Sequence, residues 1–227
     1  QRRAGHAVAA PGTADGGFDV NMTELVFIRH GITDWNVARR FQGCIDIPLN
    51  AQGEEQARHT AERLAGWPLA AVYASDLGRA RQTAEPIAQA LGLVVTIEPG
   101  LRERHYGLFE GCTHEDLLRD HPEDYQRWRS RIPDFALPGG GESLVALRER
   151  VWAQMNRLAA RHAGQRIAAV THGGVLDTIY RIATGLAPDA PRRFELNNAS
   201  INRIAWDGER FSVLDWGDVS HLAKMSV

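Results

Sequence analysis

The stretch Leu25–Asn36, LVFIRHGITDWN, decides how the chain folds. Its first four residues, Leu25 to Ile28, form a short apolar run, the pattern of a strand buried on both faces. The run stops abruptly at Arg29, His30 and Gly31: a permanent cation, an imidazole and a residue with no side chain. A strand reaching solvent would also end in polar residues. The tripeptide therefore carries meaning only if other strands end in a matching way.

Outward from Leu25, strand and helix patterns alternate. Asn50 is placed to cap a helix whose face carries Ala57, Ala61, Leu64 and Ala65, and Gly66 with Pro68 ends it. AAVYAS (70–75) reads as a second strand, GRARQTAEPIAQAL (78–91) as a helix stopped by Gly92, and LVVTI (93–97) as a third strand. Two short helical pieces, 114–121 and 123–131, precede the Pro/Gly break PGGGES. A long helix is expected over 142–161, with Leu144, Leu147, Val151, Met155 and Leu158 inward. RIAAV (166–170) reads as a strand, GVLDTIYRIATG (174–185) as a helix, and 200–216 as a terminal hairpin around Asp207-Gly208. This alternation predicts a three-layer α/β/α sandwich: a doubly wound, mostly parallel sheet with a C-terminal hairpin. Residues 1–22 lack periodicity and are expected to be a disordered leader, with Met22 as the natural start; 23–227 form the domain.

Composition narrows the function. With 227 residues, 44% hydrophobic, and a net charge of −2, the chain has the size and balance of one globular domain. It lacks the strongly basic character of a nucleic-acid binder, and no apolar stretch approaches the roughly 18 residues of a membrane helix. Cys44 and Cys112 form no CxxC or zinc-type spacing and read as structural thiols of a reducing cytoplasm. Lys224 is the only lysine, so a lysine Schiff base or a P-loop is not available, and GxSxG is absent.

In doubly wound sheets, ligands gather at the carboxyl ends of the strands. The first strand delivers Arg29-His30-Gly31 there, the second Ser75-Asp76 followed by Arg79 and Arg81. LRERHYG after the third offers Glu103, and RIAAV runs into Thr171-His172-Gly173-Gly174. Each residue alone is an ordinary surface or capping residue; together they suit phosphoryl transfer. Arginines give forked donors to phosphate oxygens and helix N-termini add oriented N–H groups. Gly31, Gly173 and Gly174 are read as letting backbone approach the anion. A neutral imidazole attacks phosphorus, a second, protonated imidazole adds charge, and a carboxylic acid protonates the departing oxygen. This set calls for no metal.

RHGITDWN, SDLGRARQTA, LRERHYGLFEG, GGGESLVALRERV and VTHGG, in this order, resemble the histidine phosphatase superfamily, also called phosphoglycerate mutase-like. The resemblance implies that His30 is the phosphorylated nucleophile and Glu103 the proton donor and later acceptor. It implies that Arg29, Arg79 and His172 bind the transferring phosphoryl group, and that Asn36, Gln42, Gly43, Arg81 and Gly173 line the pocket. ERHYG resembles the glycolytic mutases, in which Arg104 and Tyr106 would touch phosphoglycerate. The stretch from Tyr106 to Gly139 is shorter than the mutase insertion and lacks its lysine, which favours a bacterial broad-specificity phosphatase acting on small phosphorylated metabolites. The alternative is a mutase, an isomerase primed by 2,3-bisphosphoglycerate; a non-catalytic phospho-ligand-binding protein and a metallohydrolase are the readings from other classes. QRWRSR offers Arg127, Arg129 or Arg131 to a second anionic group, although a solvated helix face is the simpler reading. No cofactor, nucleic acid or membrane is implied, and a homodimer is left open.

Overall fold

The computed structural model describes residues 22–223 and 225. The expected leader, but for Met22, lies outside the described residues, as does Lys224. In chain order the elements are β1 (Thr23–Arg29), α1 (Asp34–Val37), α2 (Ala51–Leu64), β2 (Leu69–Ala74), α3 (Gly78–Leu91) and β3 (Val95–Ile97). Then come α4 (His114–Asp120), α5 (Pro122–Arg129), α6 (Leu144–Arg161), β4 (Arg166–Thr171), α7 (Gly173–Thr184), β5 (Ile201–Trp206) and β6 (Phe211–Asp218).

The six strands form one sheet in the order β3-β2-β4-β1-β5-β6. The first four are parallel to their neighbours, and the hairpin β5–β6 adds two antiparallel strands beside β1. β1 shows why the sheet has helices on both faces. Leu25 and Phe27 enter a core with α6 and α7, while Val26 and Ile28 enter a second core with α2 and α3. A strand buried on both faces has no polar side to alternate with, which is why LVFI is apolar throughout.

Local signals set the boundaries. Asn50 caps α2 as expected, its side chain accepting from Gly53 N, but α2 stops at Leu64 and Ala65 is exposed. Ser143 accepts from Ala146 N and starts α6 at Leu144, two residues later than expected. Gly92 ends α3 in the left-handed conformation at φ 67°, and the edge strand begins only at Val95. The short α1, closed by a capping box between Thr33 and Asn36, has too few residues to show any periodicity. A third small core of Phe109, Leu117, Tyr125, Phe135 and Leu137 holds the α4–α5 region over the carboxyl edge of the sheet.

Candidate active site

A pocket of about 310 Å³ opens at the carboxyl ends of β1 and β4 and is lined by Arg29, His30, Arg79, Glu103 and residues from the α4–α5 side. Strand register brings these together. Arg29 pairs with Thr171, so His30 and His172 leave neighbouring parallel strands side by side. Their ring centroids stand 5.1 Å apart.

His30 is 2% exposed, and its Nδ1 lies 2.6 Å from the Gly31 carbonyl oxygen. A carbonyl only accepts, so Nδ1 carries the ring proton and Nε2 keeps its lone pair. Burial, then the charges of Arg79 and Arg29, hold this imidazole well below its usual range. His30 is therefore a neutral nucleophile with its reactive nitrogen fixed.

Two guanidinium groups stand beside it, Arg79 buried and Arg29 part-buried. Arg79 is 1% exposed, its Nη1 and Nη2 donating to the carbonyls of Ile45 and Gly43 at 2.9 and 2.8 Å. Arg29 donates to the Leu196 carbonyl through Nη1. The Nε of each is buried without a partner, and among the described residues neither arginine forms a salt bridge. Burial pulls both pKa values down, opposed by the Glu103 carboxylate. Two cations whose buried Nε donors are unused form an anion site.

His172 departs from the expectation. It is fully buried beside His30 and outside the pocket lining, with Nε2 2.6 Å from Ser75 Oγ. Burial, then Arg79 and the His30 ring, hold it well below the usual histidine range, so it is neutral rather than the cation expected. What it offers is a ring nitrogen, Nδ1, buried and without a partner. Ser75, just after β2, holds the ring in place through this contact.

Glu103 accepts from Arg104 N at 2.7 Å and from Gly174 N at 3.1 Å. This contact explains Gly174 better than an approach to the anion does. A Cβ there would stand 2.6 Å from Glu103 Oε1. Gly31 is likewise required by packing, because its Cβ would meet the Gly53 carbonyl oxygen at 2.5 Å, while a Cβ at Gly173 would make only ordinary contact.

Of the expected pocket residues, Asn36, Gln42, Gly43, Arg104, Tyr106 and Gly173 all line it. Arg81 does not: it is exposed on α3 and faces a separate cleft with Asp46 and Glu85. Two residues are about half a turn of helix, so Arg79 and Arg81 point to opposite sides, and the buried side of α3 carries Arg79 and Thr83. From QRWRSR, Arg131 reaches the pocket, braced by Asp177 at 2.8 Å, as does Trp128. Arg127 and Arg129 instead lie over Phe135 and Tyr125. Sequence reading passed over Asn198, whose Nδ2 bonds the His30 carbonyl at 3.0 Å and contacts Asn36 Oδ1. It also passed over Arg192 and Asp177 in the pocket wall. Asn198 and Arg192 sit on irregular backbone and Asp177 on α7, none with a motif to mark it. Cys44 is not a nucleophile, since burial, then Glu110, pushes its thiol up to about 11.

Residues 25–219 match the model of the histidine phosphatase superfamily (branch 1). The chain belongs to that superfamily. Phosphoglycerate mutase-like protein 4 of Arabidopsis thaliana is 41% identical over 209 residues, covering 91% of this chain and 90% of the relative. The metal-independent phosphoserine phosphatase of the same plant is 40% identical over 206 residues, covering 90% and 85%. The structure of phosphoserine phosphatase from Entamoeba histolytica in complex with 3-phosphoglyceric acid superposes with a TM-score of 0.81 at 28% identity, covering 88% of this chain and all of that one. As a member of the histidine phosphatase superfamily with phosphatases and mutases for relatives, the chain is an enzyme of phosphate esters. Among the described residues no helix is long and apolar enough to cross a membrane.

Proposed function

We propose that this member of the superfamily hydrolyses small phosphomonoesters that carry a second anionic group, through a phosphohistidine on His30. The observation that carries the proposal is the fixed His30 tautomer beside two arginines that have no carboxylate partner among the described residues and whose Nε donors are buried and unused. In the first step His30 Nε2 attacks phosphorus, and the ester P–O bond breaks as the N–P bond forms. Arg29, Arg79 and the His172 ring N–H take the charge of the equatorial oxygens. Glu103 gives its proton to the leaving oxygen. In the second step Glu103 takes a proton from water as that water attacks phosphorus and releases His30.

Beyond the phosphoryl site, Arg104, Arg131 and Arg192 stand in the same pocket wall. Arg104 is fixed by two bonds to the Glu142 carbonyl, at 3.0 and 2.7 Å. So much positive charge outside the reacting centre suits a carboxylate or second phosphate on the substrate. It also supports the mutase as second reading, because the same arginines would hold a phosphoglycerate for return transfer from His30, with 2,3-bisphosphoglycerate as primer.

The test is to supply 3-phosphoglycerate with a trace of 2,3-bisphosphoglycerate and follow inorganic phosphate and 2-phosphoglycerate together. Phosphate release with little isomer is expected, because the short segment after Tyr106 leaves water able to compete for the phosphohistidine. Rapid isomerisation with negligible phosphate would assign the chain to the mutases. Excess EDTA is expected to leave activity intact, and orthovanadate to inhibit.

A further inference from the structure

Beside the catalytic set, the fold brings together three side chains from separate turns of the chain. Cys44, His105 and Glu110 each present one donor atom, and these atoms lie within 4.8 Å of one another. A thiol, an imidazole and a carboxylate form the donor set of a borderline-soft divalent cation such as zinc, not of magnesium or calcium. The donors are largely unspent. His105 Nδ1 is buried without a partner. Glu110 uses Oε1 for the backbone N–H groups of Cys44 and Tyr106, at 2.9 and 3.0 Å, and Oε2 has no hydrogen bond among the described residues. The thiol makes a long hydrogen-bond contact, 3.8 Å, to the Glu103 carbonyl, and the Arg102 guanidinium lies near it. Charges acting on Cys44 are mainly carboxylates, from Glu110, Glu142 and Glu103; the opposing Arg102 is itself paired with Asp76.

We propose that Cys44, His105 and Glu110 bind one zinc-like cation, and that this binding reversibly inhibits the enzyme. Zinc holds its ligands at about 2.0–2.3 Å in a tetrahedron, which sets neighbouring donors about 3.5 Å apart. The three side chains must close in on the metal, and a water fills the fourth position. Cys44 gives its thiol proton to solvent as the Zn–S bond forms. The backbone that moves is the backbone that holds the catalytic groups. The carbonyls on either side of Cys44, from Gly43 and Ile45, hold the two ends of the Arg79 guanidinium. His105 follows Glu103 by two residues. A displacement of about 1 Å at such groups costs on the order of 100-fold in rate.

The test uses the full-length protein with Co²⁺ as probe, because a cobalt–thiolate bond absorbs strongly in the near ultraviolet. The wild-type and C112S proteins are expected to develop this band with one equivalent of metal, Zn²⁺ to displace it, and C44S to lack it. H105Q is expected to weaken Co²⁺ binding by about tenfold or more. Stoichiometric Zn²⁺ is expected to lower aryl phosphatase activity of the wild type, with recovery on EDTA. C44S should match wild-type activity without metal and resist Zn²⁺ at least about tenfold better. Thermal melts establish that each variant is folded: Zn²⁺ should raise the wild-type midpoint and leave that of C44S in place. Absence of the band in the wild type, or its survival in C44S, overturns the site. Equal zinc inhibition of wild type and C44S places the inhibiting metal elsewhere and overturns the regulation.

Discussion

At the amino ends of β1 and β4, Glu24 and Arg166 lie side by side, 3% and 0% exposed in their side chains, joined at 2.8 Å; Arg203 from β5 adds a second bond to the same carboxylate at 2.6 Å. At the carboxyl ends of the same two strands, His30 and His172 are just as buried and Arg29 is part-buried with its Nε enclosed, yet among the described residues no carboxylate pairs with the arginine, and both imidazoles are held neutral. Both ends place ionisable side chains in or against the interior. The pairing differs. Charge cancelled inside the protein contributes to the fold, while charge left without a counterion is an anion site waiting for its ligand.

The largest expected effect is at the reacting atom. His30→Ala should lower turnover by at least about four orders of magnitude, because no other group in the pocket can form the N–P bond. The thermal midpoint should hold, since a buried ring with one hydrogen bond is lost from a site that already carries unpaired charge. Quenching with labelled substrate should trap an acid-labile, base-stable phosphoenzyme in the wild type only. Turnover at the wild-type rate in this variant would remove the mechanism.

The contrast between the two ends is broken or kept by a pair of variants. Arg79→Ala should cost about 10³-fold in kcat/KM with little or no loss of stability, because it removes an unpaired buried cation. Arg166→Ala leaves Glu24 buried with one partner fewer and should cost about 3–5 kcal/mol, with activity per folded molecule intact. Urea denaturation and initial rates on both proteins decide it. If Arg79→Ala is the less stable and Arg166→Ala the less active, the division between structural and functional charge is wrong.

Glu103 has the next largest effect, and it depends on the substrate. Glu103→Gln should slow an alkyl phosphate by about 10²-fold or more and an aryl phosphate much less, since a phenolate departs without a proton. Equal losses would take Glu103 out of that role and leave Glu110 or Asp46 as candidates. Glu110 faces Cys44 N and Tyr106 N, and Asp46 caps Gly78 N, so neither faces the pocket as Glu103 does.

The same contrast explains what could be read from the sequence. LVFI, RIAAV and the residues that end them were legible because a strand buried on both faces must be apolar, and because several strands end in a matching set of arginines, histidines and glycines. Helix faces such as Leu147, Val151, Met155 and Leu158 follow the 3.6-residue period and were placed correctly. What periodicity cannot reach is the loop side of the pocket. Arg131 reaches the pocket from a residue with φ 53°, beyond the last turn of α5, so its direction has no helical pattern to read. Asn198 and Arg192 lie on irregular backbone between α7 and β5. Arg81 was misplaced because RAR puts two arginines two residues apart, and on a helix residues i and i+2 do not share a face. Cys44 and His105 are 61 positions apart and meet only through the fold.

The smallest effect is in stability against pH, and its sign follows from the buried imidazoles. In the unfolded chain a histidine titrates near about 6.5. In the folded protein His30 and His172 are both held well below that, first by burial and then by Arg79. Below pH 6.5 the unfolded chain therefore binds protons that the native protein refuses. Their contribution is present in full above that pH and is lost progressively as the pH falls toward the folded values. Each histidine adds a slope of up to about 1.4 kcal/mol per pH unit in this window. His114 and His221, also held low by burial, add to the same slope, so the isolating measurement is a difference between proteins. Asp76, Glu142 and Asp218, whose pKa values are lowered, unload in more acid solution and stay out of the window. Urea unfolding at pH 7.5, 6.5 and 5.5 should show the wild type losing stability steadily below pH 6.5, and His172→Asn losing less by about one histidine's share. Parallel slopes for the two proteins would mean that His172 accepts its proton in the folded state. It would then be the cation that the sequence reading expected, and the carboxyl end of the sheet would hold more charge than the geometry assigns to it.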